Sequence, residues 1–135
     1  MLGSKLDPLL FIIFINDLLI ELESHDLGVK IGELEISSLS FADDIILIVN
    51  SPKTLQKLID ICGNWTRSNG MNFNVSKCKV MTLNVRKPPT SFHLLGEEID
   101  FVNEYCYTFK QKANKFNHTS YFCNFREGRS SFELY

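Results

Sequence analysis

The sequence predicts an α+β fold, a mostly antiparallel sheet with helices packed on one face, and three observations carry that expectation. A leucine-rich segment starts at Asp7-Pro8 and keeps a helical character to about Glu23. A second helical pattern runs between Ser51-Pro52 and Gly70, and short stretches of two-residue alternation lie between and after the two. Helix, hairpin, helix and strands in that order favour helices segregated to one side of a sheet.

The first helix should begin with Asp7 as N-cap and Pro8 at the first helical position, where its missing N–H costs nothing. Because its first two turns are apolar nearly all round, it is expected to be buried against the sheet. From Gly28, the residues Val29, Ile31, Leu34, Ile36, Leu39 and Phe41 alternate as strands do, until Ala42-Asp43-Asp44 interrupts them. Ile45-Ile46-Leu47-Ile48-Val49 is β-branched, ends at Asn50-Ser51-Pro52, and reads as a second, fully buried strand. The two strands would make a hairpin with an acidic tip.

Ser51 and Pro52 then start an amphipathic helix with Leu55, Leu58, Ile59, Cys62 and Trp65 at helical spacing, closed by Gly70. Asn72–Asn74 and Lys79–Val85 are expected as short strands around a Ser76-Lys77 turn. His93-Leu94-Leu95 and Ile99-Asp100-Phe101, flanking Gly96-Glu97-Glu98, suit another hairpin. Residues 1–107 are thus read as one domain. From Thr108 the chain shows no sustained period, so residues 108–135 are predicted to be a disordered tail.

A chain of 135 residues with 44% hydrophobic and 12% aromatic content can bury a modest core. A formal charge of -2 gives no global case for nucleic-acid binding. The distribution is uneven, however: Lys and Arg against Asp and Glu stand at 2 to 9 over residues 1–50 and 7 to 1 over 51–90. That division suits a cation-binding centre beside a phosphate-attracting flank, or simply two differently solvated faces. Cys62, Cys78, Cys106 and Cys123 form no CxxC pair and no zinc pattern, which leaves reduced intracellular thiols as the expectation. The apolar run Leu9–Ile15 falls far short of the roughly 20 residues a membrane span needs, so no membrane association is expected.

The chemistry concentrates at Asp43 and Asp44. Adjacent carboxylates between apolar strands repel each other in a poorly screened setting, and a hard divalent cation such as Mg²⁺ relieves this. An ordinary solvated Asp-Asp turn is the competing reading. Phosphorelay receiver domains also bind Mg²⁺ at an acidic pair, but there the pair follows the apolar strand, whereas Asp43-Asp44 precedes Ile45–Val49.

With its neighbours the turn is more specific. Phe41-Ala42-Asp43-Asp44-Ile45 resembles the signature turn of reverse transcriptases, particularly those of LINE-type, non-LTR retrotransposons. Gly3, Leu6, Pro8, Leu9, Leu10, Phe11, Ile15, Asn16 and Asp17 match a family segment reading roughly QGxPLSPLLFxxxIND, just upstream of the turn. The helix from Leu55 to Trp65 and the stretch Gly70–Lys79 resemble the helix and NxxK segment downstream of it, and Leu94–Asn103 resembles a primer-grip hairpin. The resemblance covers residues 2 to about 84 in the family's order and implies a C-terminal palm fragment of an RNA-directed DNA polymerase. In that reading Asp43 and Asp44 bind catalytic Mg²⁺, Asp43 more directly. Phe41 and Ala42 shape the floor under the primer terminus, Lys77 lies near the nucleotide phosphates, and the partners are an RNA template and a DNA primer.

Departures from the pattern bear on activity. Leu2 stands where the family has Gln, Lys5 where it has Pro, Asp7 where it has Ser, and Thr108-Phe109 where it has Leu-Gly. The family's metal site also takes an aspartate from a strand upstream of residue 2, and its fingers and thumb grip the duplex. The expectation is therefore a chain inert by itself, with a non-catalytic remnant or small interaction module as the rival. Phe11, Ile13, Leu47 and Val49 are expected to be imperfectly covered.

Overall fold

The first helix, α1 (Gly3–Ser24), starts earlier than Asp7 and runs through Pro8. Lys5 and Leu6 are strong helix formers, and one proline near the N-terminus removes only the bond its N–H would have made one turn back. This fold comes from a computed structural model, which describes residues 3–41, 44–71, 73–83, 91–102 and 120–126.

A small hairpin follows, β1 (Val29–Ile31) with β2 (Leu34–Ile36), in which Ile31 pairs with Leu34 across a two-residue turn. Gly32 supplies the positive φ of 64° that such a turn requires. Next come β3 (Ser38–Phe41) and β4 (Asp44–Val49), paired antiparallel from Ser38–Leu47 to Phe41–Asp44. The expected pairing of a strand ending at Phe41 with the Ile45–Val49 run is present, but the stretch from Val29 is three strands and not one, and Ala42 and Asp43 of the expected acidic tip lie outside the described residues. Along β4 the burial alternates, with Ile45, Leu47 and Val49 inside and Ile46 and Ile48 half-covered, so the strand is not buried on both faces as its apolar run suggested.

The second helix, α2 (Pro52–Asn69), has the ends read from the sequence. Ser51 lies in extended backbone and its side chain accepts the Thr54 N–H at 3.2 Å, while Gly70 closes the helix at φ 64° and donates to the Thr66 carbonyl. Leu55, Leu58, Ile59, Cys62 and Trp65 form its buried face. Thr66, also buried, satisfies its hydroxyl on the Gly63 carbonyl at 2.7 Å.

After α2 the chain departs from the short strand expected at Asn72–Asn74. Phe73 and Asn74 are not strand, and a 3-10 turn (Val75–Lys77) follows them, while Asn72 lies outside the described residues. The Asn74 side chain accepts the Ser76 N–H at 3.1 Å, a local bond that competes with strand pairing. Phe73 is buried and joins the core.

Beyond this turn run β5 (Lys79–Leu83), β6 (Phe92–Leu94) and β7 (Glu97–Phe101). Asn84 and Val85, expected to continue β5, lie outside the described residues. Strands β6 and β7 form the expected hairpin, but its turn is Leu95-Gly96 and not Gly96-Glu97-Glu98, since Glu97 and Glu98 pair in the ladder; φ values of 54° and 85° suit a tight two-residue turn. The Gln56 amide of α2 clamps β6, donating to the His93 carbonyl at 2.8 Å and accepting the His93 N–H at 3.1 Å.

The largest departure is β8 (Ser120–Arg126), in the stretch expected to be a disordered tail. It pairs antiparallel with β4 on one side and β5 on the other, giving the order β3-β4-β8-β5-β7-β6. Tyr121, Phe122, Cys123 and Phe125 give the segment strand propensity, and two open strand edges complete its hydrogen bonding. Among the described strands only β5 and β7 pair parallel, so the sheet is mostly antiparallel.

Both helices share one core with the sheet. Ile15, Leu18 and Leu22 of α1 and the buried face of α2 pack with Ile45, Leu47, Val49, Val80, Phe92, Leu94 and Ile99. Leu47 and Val49 are therefore fully covered, contrary to expectation. Ile13 is 59% exposed, and Leu9 and Ile12 also face solvent, so these three residues are not buried against the sheet as expected. Among the described α1 side chains, Phe14, Ile15, Leu18, Leu19 and Leu22 meet the core. Phe11 lies outside the residues whose side chains are described.

Candidate functional site

The acidic turn stands where β3 hands over to β4. Phe41 and Asp44 are register partners, so Ala42 and Asp43, which lie outside the described residues, occupy the two positions between them. Asp44 opens β4, is half-buried, and has its Oδ1 atom closed off from solvent. On its other side it is the register partner of Arg126, the last residue of β8.

Register also locates Lys77. Asn124 of β8 pairs with Ile46 of β4 and with Lys79 of β5, which sets Lys79 level with Ile46. Asp44 lies two residues before Ile46 and Lys77 two residues before Lys79, and β4 and β5 run in the same direction. The acidic hairpin end and the 3-10 turn carrying Lys77 thus lie at the same end of the sheet. Their strands are two ladder spacings apart, about 10 Å. Lys77 is exposed, and its backbone N–H donates to the Asn74 carbonyl at 3.0 Å.

Other polar features hold the frame. Lys79 pairs with Asp100 at 2.8 Å across the parallel β5–β7 ladder, a largely exposed contact of little energetic weight. Cys62 and Cys78 are buried, reduced thiols, and burial pushes the Cys62 thiol well above its ordinary range. Neither has the electropositive, accessible setting of a reactive cysteine.

The donor chemistry of Asp43 and Asp44 suits a hard divalent cation. Among the described residues, no group of three or more His, Cys, Asp or Glu side chains comes together to hold one. Sequence reasoning did not anticipate the strand Ser120–Arg126 or the pairing of Arg126 with Asp44. Its signal was available in the aromatic run Tyr121–Phe125, which could have marked a strand ending at a cation. Among the described residues, no helix is long and apolar enough to cross a membrane.

The chain is similar in sequence to known proteins. The chain is 36% identical over 76 residues to the retrovirus-related Pol polyprotein from type-1 retrotransposable element R2 of Popillia japonica, covering 56% of this chain and 11% of that protein. It is 31% identical over 87 residues to the Pol polyprotein from type-2 retrotransposable element R2DM of Drosophila melanogaster, covering 64% and 8% respectively. The chain therefore spans about a tenth of the length of these relatives. No solved structure gives a significant match. The family model for reverse transcriptase (RNA-dependent DNA polymerase) matches residues 1–99, and the chain belongs to that family.

Proposed function

We propose that the chain is a C-terminal palm segment of a non-LTR retrotransposon reverse transcriptase, with Asp43 and Asp44 as the metal-bearing pair of the polymerase centre. The observation that supports this reading is the register pairing of Phe41 with Asp44, with Asp44 at the end of a strand hairpin within the family-matched region. In the complete enzyme the substrates would be an RNA template, a DNA primer and deoxynucleotides. Magnesium, when bound, would supply charge stabilisation at the attacking 3′-hydroxyl and the departing pyrophosphate.

The chain's own residues would hold and orient. Asp43 and Asp44 would present carboxylate oxygens, Phe41 and Ala42 would form the floor beneath the primer terminus, and Lys77 would offer its ammonium to the nucleotide phosphates. The position of Lys77 at the same sheet end as Asp44 supports that last role. By themselves these 135 residues should be inert, because they span only about a tenth of the length of the Pol polyproteins they match.

Two measurements test the reading. The isolated chain should give no primer extension on an RNA template with Mg²⁺, and extension that disappears in Asp43→Ala would overturn the inertness. Substituted for the matched segment of the Drosophila relative, the chain should retain extension, and Asp43→Ala there should lower it by about 10²–10³-fold or more. Equal activity with and without Asp43 would reject the metal-binding role.

A further inference from the structure

We propose that the outward face of α1 pairs with α1 of a second copy of this chain, as an antiparallel two-helix seam centred on Asn16. Leu9, Ile12, Ile13 and Ile20 are 55–59% exposed, although Ile15, Leu18 and Leu22 on the other side of the same helix are buried in the core. A helix that is apolar on both sides needs a second cover besides the core it packs on. Four large aliphatic side chains along one stripe make a patch of the size that marks an interaction site.

The spacing and the one polar residue say what covers it. Leu9, Ile13, Asn16 and Ile20 follow one another at intervals of four, three and four, the repeat by which two helices keep a common seam. Asn16 is exposed within that seam. Against a lipid surface or an apolar groove its amide would be buried without a partner, which is costly. Against its own copy each amide both donates and accepts, so the pair satisfies itself.

Charge sets the direction. Asp17, Glu21 and Glu23 are exposed and lie in the C-terminal half of α1. A parallel pair would set each acid beside its like, whereas an antiparallel pair draws them apart and puts each helix's partly negative end beside the other's partly positive start. About a two-fold axis through Asn16, Ile20 of one copy comes level with Ile12 of the other, and Ile13 with Leu19. Two patches of a few hundred Å² each fall short of the roughly 1,200 Å² of a standard interface, so the dimer should be weak. The helix is already held by its core face, so pairing does not require it to fold.

The test is sedimentation equilibrium on the full chain, with no nucleotide, metal or nucleic acid present. Between about 10 μM and about 1 mM, where a weak interface fills, the mass should rise towards that of two copies, and the thermal midpoint should rise with concentration. Ile13→Glu and Asn16→Asp each put like charges into the seam and should weaken association at least about tenfold. Both positions are exposed, so far-UV circular dichroism should not change. Asn64→Glu, on the exposed side of α2, should associate like the unaltered chain. After mild oxidation Asn16→Cys should give a linked dimer beyond the background of the unaltered chain, and Glu23→Cys, about 20 Å from its copy by helical rise, should not. A monomeric mass throughout, undiminished association in Ile13→Glu and Asn16→Asp, or linkage through Glu23→Cys in place of Asn16→Cys would overturn the proposal. A monomeric chain that binds phosphatidylcholine vesicles would overturn it in favour of a lipid surface. Should one charged variant fail to fold, the other decides the outcome. Because no polymerisation is measured, failure here leaves the reverse-transcriptase reading separately testable.

Discussion

Gly28 shows how one missing side chain lets a backbone pass. A Cβ at this position would stand 2.4 Å from the Ile36 carbonyl carbon and oxygen, closer than such atoms ever approach. The residue also donates its N–H to the Glu35 carboxylate at 2.9 Å, tying the entry of β1 to β2. The obstruction is backbone, which cannot rotate aside. Gly28→Ala should therefore destabilise the protein by about 1–3 kcal/mol, with faster hydrogen exchange at the amides of Val29–Ile36 as the local signature. Unchanged exchange across both strands would show that the approach is not as close as the structure has it. Gly28 was legible in the sequence only as the opening of the alternating stretch; the contact that requires it comes from Ile36, on the returning strand. Phe41, Asp44 and Lys77 could be singled out as candidates from local motif and spacing, whereas the register of Asp44 with Arg126 joins strands far apart in the chain and no local pattern reveals it.

At the scale of elements, α2 was the most legible because every signal for it is local. Its cap, its first proline, its buried stripe and its closing glycine all lie within residues 51–70, and the structure has each where the pattern put it. The start of α1 was less so, since Asp7-Pro8 is a good start signal but not a barrier to helix on its N-terminal side. The buried stripe of α1 depended on what lies against it, which no periodicity within the helix reveals. Local signals also make α2 easy to probe. Ser51→Ala removes the acceptor for the Thr54 N–H and the 2.7 Å contact between the Ser51 and Thr54 hydroxyls. The loss should be about 1 kcal/mol, measured as a lower denaturant midpoint with an unchanged slope, and Ser51→Asp should recover most of it. Equal stability of Ser51→Ala and the unaltered chain would mean that the cap is replaced by water at no cost.

For the whole molecule, the decisive element is the one that local patterning gave least reason to expect. Strand β8 stands between β4 and β5, so the hairpin carrying Asp44 and the strands following the Lys77 turn are joined in one sheet only through it. Cys123 is the natural place to test that dependence, because it pairs with Leu47 on one side and Val80 on the other, both fully buried. Proline there removes an N–H from a central strand and cannot be accommodated as it would be at an edge. Cys123→Pro should cost about 3 kcal/mol or more and broaden or abolish the cooperative thermal transition. Cys123→Ala keeps the backbone donor and should retain a sharp transition, which separates the loss of pairing from the loss of the thiol. Were Cys123→Pro to melt as sharply and at the same temperature as Cys123→Ala, β8 would not be integral to the sheet, and the register that sets Arg126 beside Asp44 would lose its support.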